Sequence, residues 1–196
     1  SSGAVCAAIW SRFATDKGKA LSTEDLRNML ARMEQHFHGQ SSGTDPLICY
    51  LKQPVLLGGG QAPSTTKLPA NWDEGFFLLD TGIERKASDF IRSFTFRYDS
   101  DAGFAQAINK EWTTNADAAI DALLAGNRKA LWEFTARIAE FQIRKFPDFI
   151  PAHLHGKWTG KGYLLKLCGA GGGGMMLGLG TDRKLVEEQL GKVHWI

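Results

Sequence analysis

The chain has no charge bias, few cysteines and no long apolar run, and each lack removes a class of protein. Lys plus Arg number 23 against 21 Asp plus Glu, a formal charge of +2, and no five like charges stand in a row. This leaves no charged tail and no basic stripe for nucleic acid, so any anionic ligand has to be held by a local site. The three cysteines, Cys6, Cys49 and Cys168, are an odd number, widely spaced and set among apolar neighbours that suit buried thiols. They read as reduced thiols in a cytoplasmic setting rather than as a disulfide framework. No stretch approaches the roughly 18 uninterrupted apolar residues of a membrane span, and the opening SSGAVCAAIW lacks the basic lead of a signal peptide. A solenoid-length internal repeat and the Walker A pattern are also missing.

What is present is a globular composition, 43% hydrophobic over 196 residues, enough for one large domain or two small ones. The first residues read as a chain cut at the N-terminus of a helix, Ser and Gly serving as caps before an apolar segment from Ala4 to Phe13 that predicts a buried helix. A second helix is predicted over Thr23 to Phe37. Ser22 or Thr23 caps it, Glu24 and Asp25 suit its first turn, and Leu26, Met29, Leu30 and Met33 keep helical spacing. HGQSSGTD, from His38 to Asp45, reads as a loop. Glycine and proline between Gly58 and Asn71 mark a connection or exposed hairpin at a domain boundary.

Beyond that boundary GFFLL, from Gly75 to Leu79, reads as a buried strand. Two or three helices follow between about Ala87 and Phe146, ended by Pro147. Strands are expected at Tyr163 to Leu167 and Met175 to Leu179, a helix at Asp182 to Leu190, and the tail VHWI closes the order. This is an α+β arrangement, with helices expected on one face of a mainly antiparallel sheet.

The run Gly169-Ala170-Gly171-Gly172-Gly173-Gly174 lies between two apolar strand candidates, where a polar flexible linker is out of place. Glycines let the backbone approach a ligand, so consecutive amides can converge on a phosphate. The spacing also satisfies G-x-G-x-x-G, but MMLGLG follows where a dinucleotide site needs a helix, so an NAD-dependent enzyme is disfavoured. Glu34 and Asp45 flank the glycine-serine loop; two carboxylates so placed could hold Mg²⁺ and polarise a hydroxyl, although each alone reads as a surface acid. His153 and His155, like His36 and His38, alternate without Cys or acidic partners at zinc spacing. Trp132, Phe134 and Phe141 read as core aromatics of a helix.

Three of these segments, in this order, resemble the GHMP kinase superfamily, and most of all its mevalonate kinases. Glu34 followed by His38-Gly39 and then Ser42-Gly43-Thr44-Asp45 is similar to one segment, Lys166 to Gly174 to the third motif, and Ser1-Ser2-Gly3-Ala4 to the tail of the second. The resemblance implies that the chain starts partway through the fold. Residues 1–70 would be the remainder of a nucleotide-binding domain (ribosomal protein S5 domain 2-like) and residues 71–196 a ferredoxin-like C-terminal domain. It implies transfer of the ATP γ-phosphoryl group to a small-molecule alcohol, mevalonate first, with ATP and Mg²⁺ required. Phosphomevalonate, sugars and homoserine remain as other acceptors, and a non-catalytic nucleotide- or partner-binding fragment as the other class.

By the same resemblance Asp45 is the catalytic aspartate, and Glu34 with the hydroxyls of Ser1 and Ser2 holds Mg²⁺. Ser1, Ser2, Gly169, Ala170, Gly171, Gly172 and Gly173 meet the nucleotide, and His38, Gly39, Ser42, Gly43 and Thr81 the substrate. Cys168 departs from the usual Thr or Ser, and Ser41 from a proline common in mevalonate kinases. A lysine from the missing N-terminal segment would assist, so residues 1–196 alone are expected to be inactive. A homodimer is compatible with the resemblance; nucleic acid and membrane partners are not expected.

Overall fold

The computed structural model describes residues 2–58, 61–84 and 87–196, and the chain divides into two compact units, Ser1–Leu68 and Pro69–Ile196. In the first unit α1 (Ser2–Phe13) turns Gly3, Cys6 and Ala7 inward at helical spacing. Its other side is open: Val5, Ile9 and Phe13 are exposed, so α1 is a surface helix rather than the buried one expected. A four-residue α2 (Asp16–Lys19) leads to α3 (Thr23–His38), whose Ser22 cap accepts the Asp25 amide at 3.1 Å. The glycine-serine loop is shorter than the sequence suggests, because Thr44 and Asp45 already belong to α4 (Thr44–Leu51). The proline in its first turn needs no amide partner there. Leu26 and Leu30 of α3 and Leu47 of α4 form this unit's core, edged by Trp10 and Tyr50. A hairpin of β1 (Val55–Gly58) and β2 (Gln61–Thr65) completes it.

The second unit is built on a five-stranded antiparallel sheet. After β3 (Phe76–Asp80) come α5 (Ala87–Ser100), α6 (Ala102–Ala107), a π turn (Ile108–Trp112), α7 (Thr113–Leu124) and α8 (Arg128–Lys145). Two short 3₁₀ turns, Pro147–Phe149 and Ala152–Lys157, return the chain to β4 (Thr159–Gly160), β5 (Tyr163–Leu167) and β6 (Met175–Gly180). Asp182 then caps α9 (Arg183–Leu190), and β7 (His194–Trp195) ends the fold. The strands lie in the order β4-β5-β6-β3-β7. Leaving aside the short β4, this is the β-α-β-β-α-β chain order of ferredoxin-like units.

Neighbouring residues of a strand point to opposite faces, and here both faces are apolar. Phe77 and Leu79 join Leu165, Met176 and Val186 of α9 in one core; Phe76 joins Leu179, Ala122 of α7 and Leu131 of α8 in another. Helical residues therefore meet the sheet on both faces, where the sequence led us to expect one. Gly178, which argues against a helix in the sequence, stands opposite Phe77 in the sheet, and a Cβ there would fall on the Phe77 ring. The register thus uses the glycine as the seat for a fully buried aromatic. Of the three thiols only Cys6 is buried; Cys49 and Cys168 are exposed, because α4 and the glycine run turn them outward.

Candidate functional site

The predicted site residues fall into two groups, one in each unit. In the first unit the N-terminus of α1, the end of α3 and the start of α4 come together. The Ser2 hydroxyl donates to Glu34 Oε1 at 2.8 Å, and the Ser41 hydroxyl donates to Glu34 Oε2 at 2.6 Å. Ser41 Oγ in turn accepts the Gly43 amide at 2.9 Å, a serine turn that fixes the loop against the carboxylate. Gly43 holds φ 71°, and a Cβ there would strike the Arg27 carbonyl of α3. Only glycine permits both the left-handed turn and the close approach.

Glu34 is only 7% exposed, yet no cation among the described residues pairs with it. Among the described residues its charge is met by hydroxyls, and it reaches Cys6, one turn below Ser2 on α1. Burial, and secondarily the Glu34 charge, push that thiol above its ordinary range. Asp45 belongs to the same corner. Gly3 sits so close to α4 that a Cβ on it would lie 3.0 Å from the Pro46 nitrogen and 3.2 Å from Asp45 Cβ. Asp45 itself is exposed in the first turn of α4, where the helix dipole favours a carboxylate. Buried Glu34, the Ser2 hydroxyl and open Asp45 are hard oxygen donors of the kind Mg²⁺ takes, so the residues present fit that ion. No group of three or more His, Cys, Asp or Glu among the described residues forms an all-protein metal cage.

The remaining first-unit candidates are less involved. Ser42 Oγ accepts the Thr44 amide at 3.3 Å, and Gly39 ends α3, its amide donating to the Gln35 carbonyl at 2.8 Å. Ser1 and the His38 side chain lie outside the described residues. Ser41, which the sequence presents only as a departure, is the residue that reasoning from motifs missed. Its signal is a serine two residues before a turn glycine.

In the second unit the glycine run is the loop between β5 and β6, held down from below. The Gly172 amide donates to the Phe149 carbonyl at 2.6 Å and the Gly174 amide to the Ile83 carbonyl at 2.9 Å. Thr81 is buried at the end of β3. Its amide and hydroxyl both donate to the Gly174 carbonyl, at 3.0 Å and 2.8 Å, and its oxygen accepts the Ile83 amide at 3.3 Å. Gly172 has φ 79° and rests on Phe90, whose ring occupies the place a Cβ would take. Two of the amides that the glycine pattern offers to a phosphate are thus engaged within the fold, and Thr81 pins the run. Ahead of it, burial lowers the Lys166 ammonium below its usual range, partly offset by Cys168, and Lys166 Nζ donates to the Leu167 carbonyl at 3.0 Å.

No family model matches this chain, and no curated protein does. Among solved structures, the crystal structure of L. major mevalonate kinase in complex with R-mevalonate does, with a TM-score of 0.67. The fold is like that of a mevalonate kinase. The match covers 98% of this chain at 15% identity, and the chain spans 63% of the length of that kinase. At such identity it is the fold that is shared, and function has to be argued from the site. Among the described residues no helix is long and apolar enough to cross a membrane.

Proposed function

We propose that this chain is part of a kinase of GHMP type that moves the γ-phosphoryl group of ATP to the hydroxyl of a small alcohol, with mevalonate the leading acceptor. One observation carries the reading: a buried carboxylate, Glu34, with no cation partner among the described residues, its two oxygens met by the hydroxyls of Ser2 and Ser41 beside the first turn of α1. Phosphoryl transfer asks for positioning and charge neutralisation more than for covalent catalysis. Glu34 and the Ser2 hydroxyl would hold Mg²⁺, which when bound neutralises phosphate oxygens. Ser41 keeps the Glu34 carboxylate turned toward Ser2. Asp45 accepts the proton of the acceptor hydroxyl as its oxygen bonds to the γ-phosphorus; the bond from that phosphorus to the bridging oxygen breaks, and ADP leaves with the electron pair. In the second unit Thr81 acts as a positioning residue, its amide and hydroxyl holding the Gly174 carbonyl of the glycine run. The likeness in fold to a mevalonate kinase supports the choice of acceptor.

The capture of the Gly172 and Gly174 amides by protein carbonyls favours a second reading, in which the glycine run is packing and the chain binds a nucleotide or partner without turnover. ADP release from the full protein with Mg²⁺, ATP and R-mevalonate separates the two. The kinase reading expects turnover that falls at least about a hundredfold in Asp45→Asn while ATP binding persists. ATP binding without turnover on mevalonate, phosphomevalonate, galactose or homoserine supports the second reading instead.

A further inference from the structure

At the end of the sheet away from the glycine run, a half-open cleft of about 700 Å³ lies among Gly75, Arg128, Lys129, Trp132, Arg183 and Trp195, and the kinase reading makes no use of it. β6 separates the two places. Gly174 precedes its first residue and Gly180, in the cleft, is its last, about 17 Å along a strand that rises about 3.4 Å per residue. We propose that this cleft binds a small organic anion, a flat ring carrying a carboxylate or a phosphate.

Three cations stand here against the local electrostatics. Arg128 and Lys129 open α8 and Arg183 opens α9, and neither helix has an acidic residue in its first turn. The positive end of a helix dipole disfavours cations there, and among the described residues no ion pair offsets that cost for any of the three. Arg128 adds the observation that points to a ligand. One amino group of its guanidinium donates to the Glu74 carbonyl, while the other, Nη1, is buried with no hydrogen-bond partner among the described residues. A buried donor left unmet is costly, and an oxyanion at this place supplies the acceptor.

The walls select the shape of the ligand. Arginine presents a planar fork that matches carboxylate and phosphate oxygens. The Arg183 guanidinium lies over the Trp195 ring, 4.9 Å from its centroid, and that of Arg128 faces the Phe76 ring at 5.8 Å, so both forks are held in place before a ligand arrives. Trp132 and Trp195 offer flat apolar surface to the ring, and the volume is of the order of small-molecule sites. Carboxylates also line the cleft, but Asp182 Oδ1 accepts the Leu185 amide at 3.1 Å, Glu74 Oε2 accepts Asn71 Nδ2 at 3.4 Å, and Glu133 is exposed one turn along α8 from Lys129. The anion is selected by where the cations stand, not by net charge.

Calorimetric titration of 2-naphthoate and of 2-naphthyl phosphate into the full chain, without ATP or Mg²⁺, tests the site, and its outcome is independent of the kinase reading. At least one of the two should bind at a single saturable site, more weakly as salt is raised, the tighter one identifying the head group. Lys129 and Arg183 are exposed, so the double variant Lys129→Gln, Arg183→Gln should keep the melting temperature and bind at least about tenfold more weakly, through the loss of charged hydrogen bonds. Lys184→Gln, on the same helix as Arg183 but outside the cleft, should bind as wild type does. Naphthalene-2-carboxamide, the same ring without the charge, should bind at least about tenfold more weakly than the anion. No saturable binding of either anion, equal affinity in the double variant and wild type, a loss in Lys184→Gln as large as in the double variant, or equal affinity for the carboxamide overturns the proposal.

Discussion

At Glu34 the metal-site role and a purely structural one predict opposite costs. A carboxylate that is 7% exposed and, among the described residues, met only by hydroxyls gains little from its charge in the folded state. Glu34→Gln keeps an oxygen for one serine and offers an N–H to the other, so the melting temperature should hold within a few degrees. The Mg²⁺ concentration for half-maximal turnover should rise about tenfold or more, because an amide is a poor ligand for a hard dication. Ser41→Ala should do the reverse. It strands one Glu34 oxygen and the Gly43 amide, costing about 1–3 kcal/mol of stability in a denaturant titration, with a smaller effect on Mg²⁺. Equal Mg²⁺ dependence of wild type and Glu34→Gln would remove Glu34 from metal binding. Cys6 offers a check on the same corner. Its raised pKa and burial predict that a thiol reagent modifies Cys49 and Cys168 in the native protein and Cys6 only after unfolding. Because the folded pKa is the higher one, the stability tied to this thiol is intact below the unfolded thiol pKa. It is lost as pH rises through the folded value.

The elements legible in the sequence were those whose periodicity spans several turns or whose strands are short apolar runs. α3 with its Ser22 cap, β3, β5 and β6 lie where hydrophobic spacing and cap chemistry put them, and α9 begins at Arg183, one residue later than expected, because Asp182 caps it from outside. α4 was not legible, because eight residues carry too little periodicity to outweigh a preceding Gly-Ser loop and Pro46. The π turn leaves no mark in the spacing of α6 and α7. Of the site, Glu34, Asp45 and Ser2 could be named from motif order, but their meeting depends on Gly3 and Gly43 seating helices against each other. The glycine run was read as open to a phosphate, whereas Phe90 and Phe149 hold it from below. That changes what a substitution there measures. Any Cβ at Gly172 meets the Phe90 ring, so a substitution there lowers stability as well as hindering the approach of a ligand. Gly172→Ala should cost about 1–3 kcal/mol, part from overpacking and part from φ 79°. In a double-mutant cycle with Phe90→Ala the overpacking share should disappear and the backbone share remain. Strict additivity of the two losses would mean that Phe90 does not support the loop.

At the scale of the whole chain, the apolar side chains form cores that stay within their own units. Among the described residues Leu26, Leu30 and Leu47 make one, with partners no further along than Val55, and the two cores of the sheet draw on residues from Trp72 onward. The two units divide between Leu68 and Pro69, inside the glycine- and proline-rich stretch from Gly58 to Asn71. The extent of each core could not be read from that stretch, since it depends on which faces the strands bury. Leu30 and Leu165 are each 0% exposed, and truncating either to Ala should cost about 2–5 kcal/mol, the transfer of the lost methyl groups plus the cavity left behind. Hydrogen exchange locates that cost. Leu30→Ala should weaken protection through α3 and α4 and leave the slowest amides of β3, β5 and β6 as in wild type, and Leu165→Ala should do the converse. If either variant lowers protection equally in both sets, the chain opens as one cooperative block. The role of Glu34 and that of the glycine run would then have to be tested by activity alone, because a stability change in one unit would no longer be local to it.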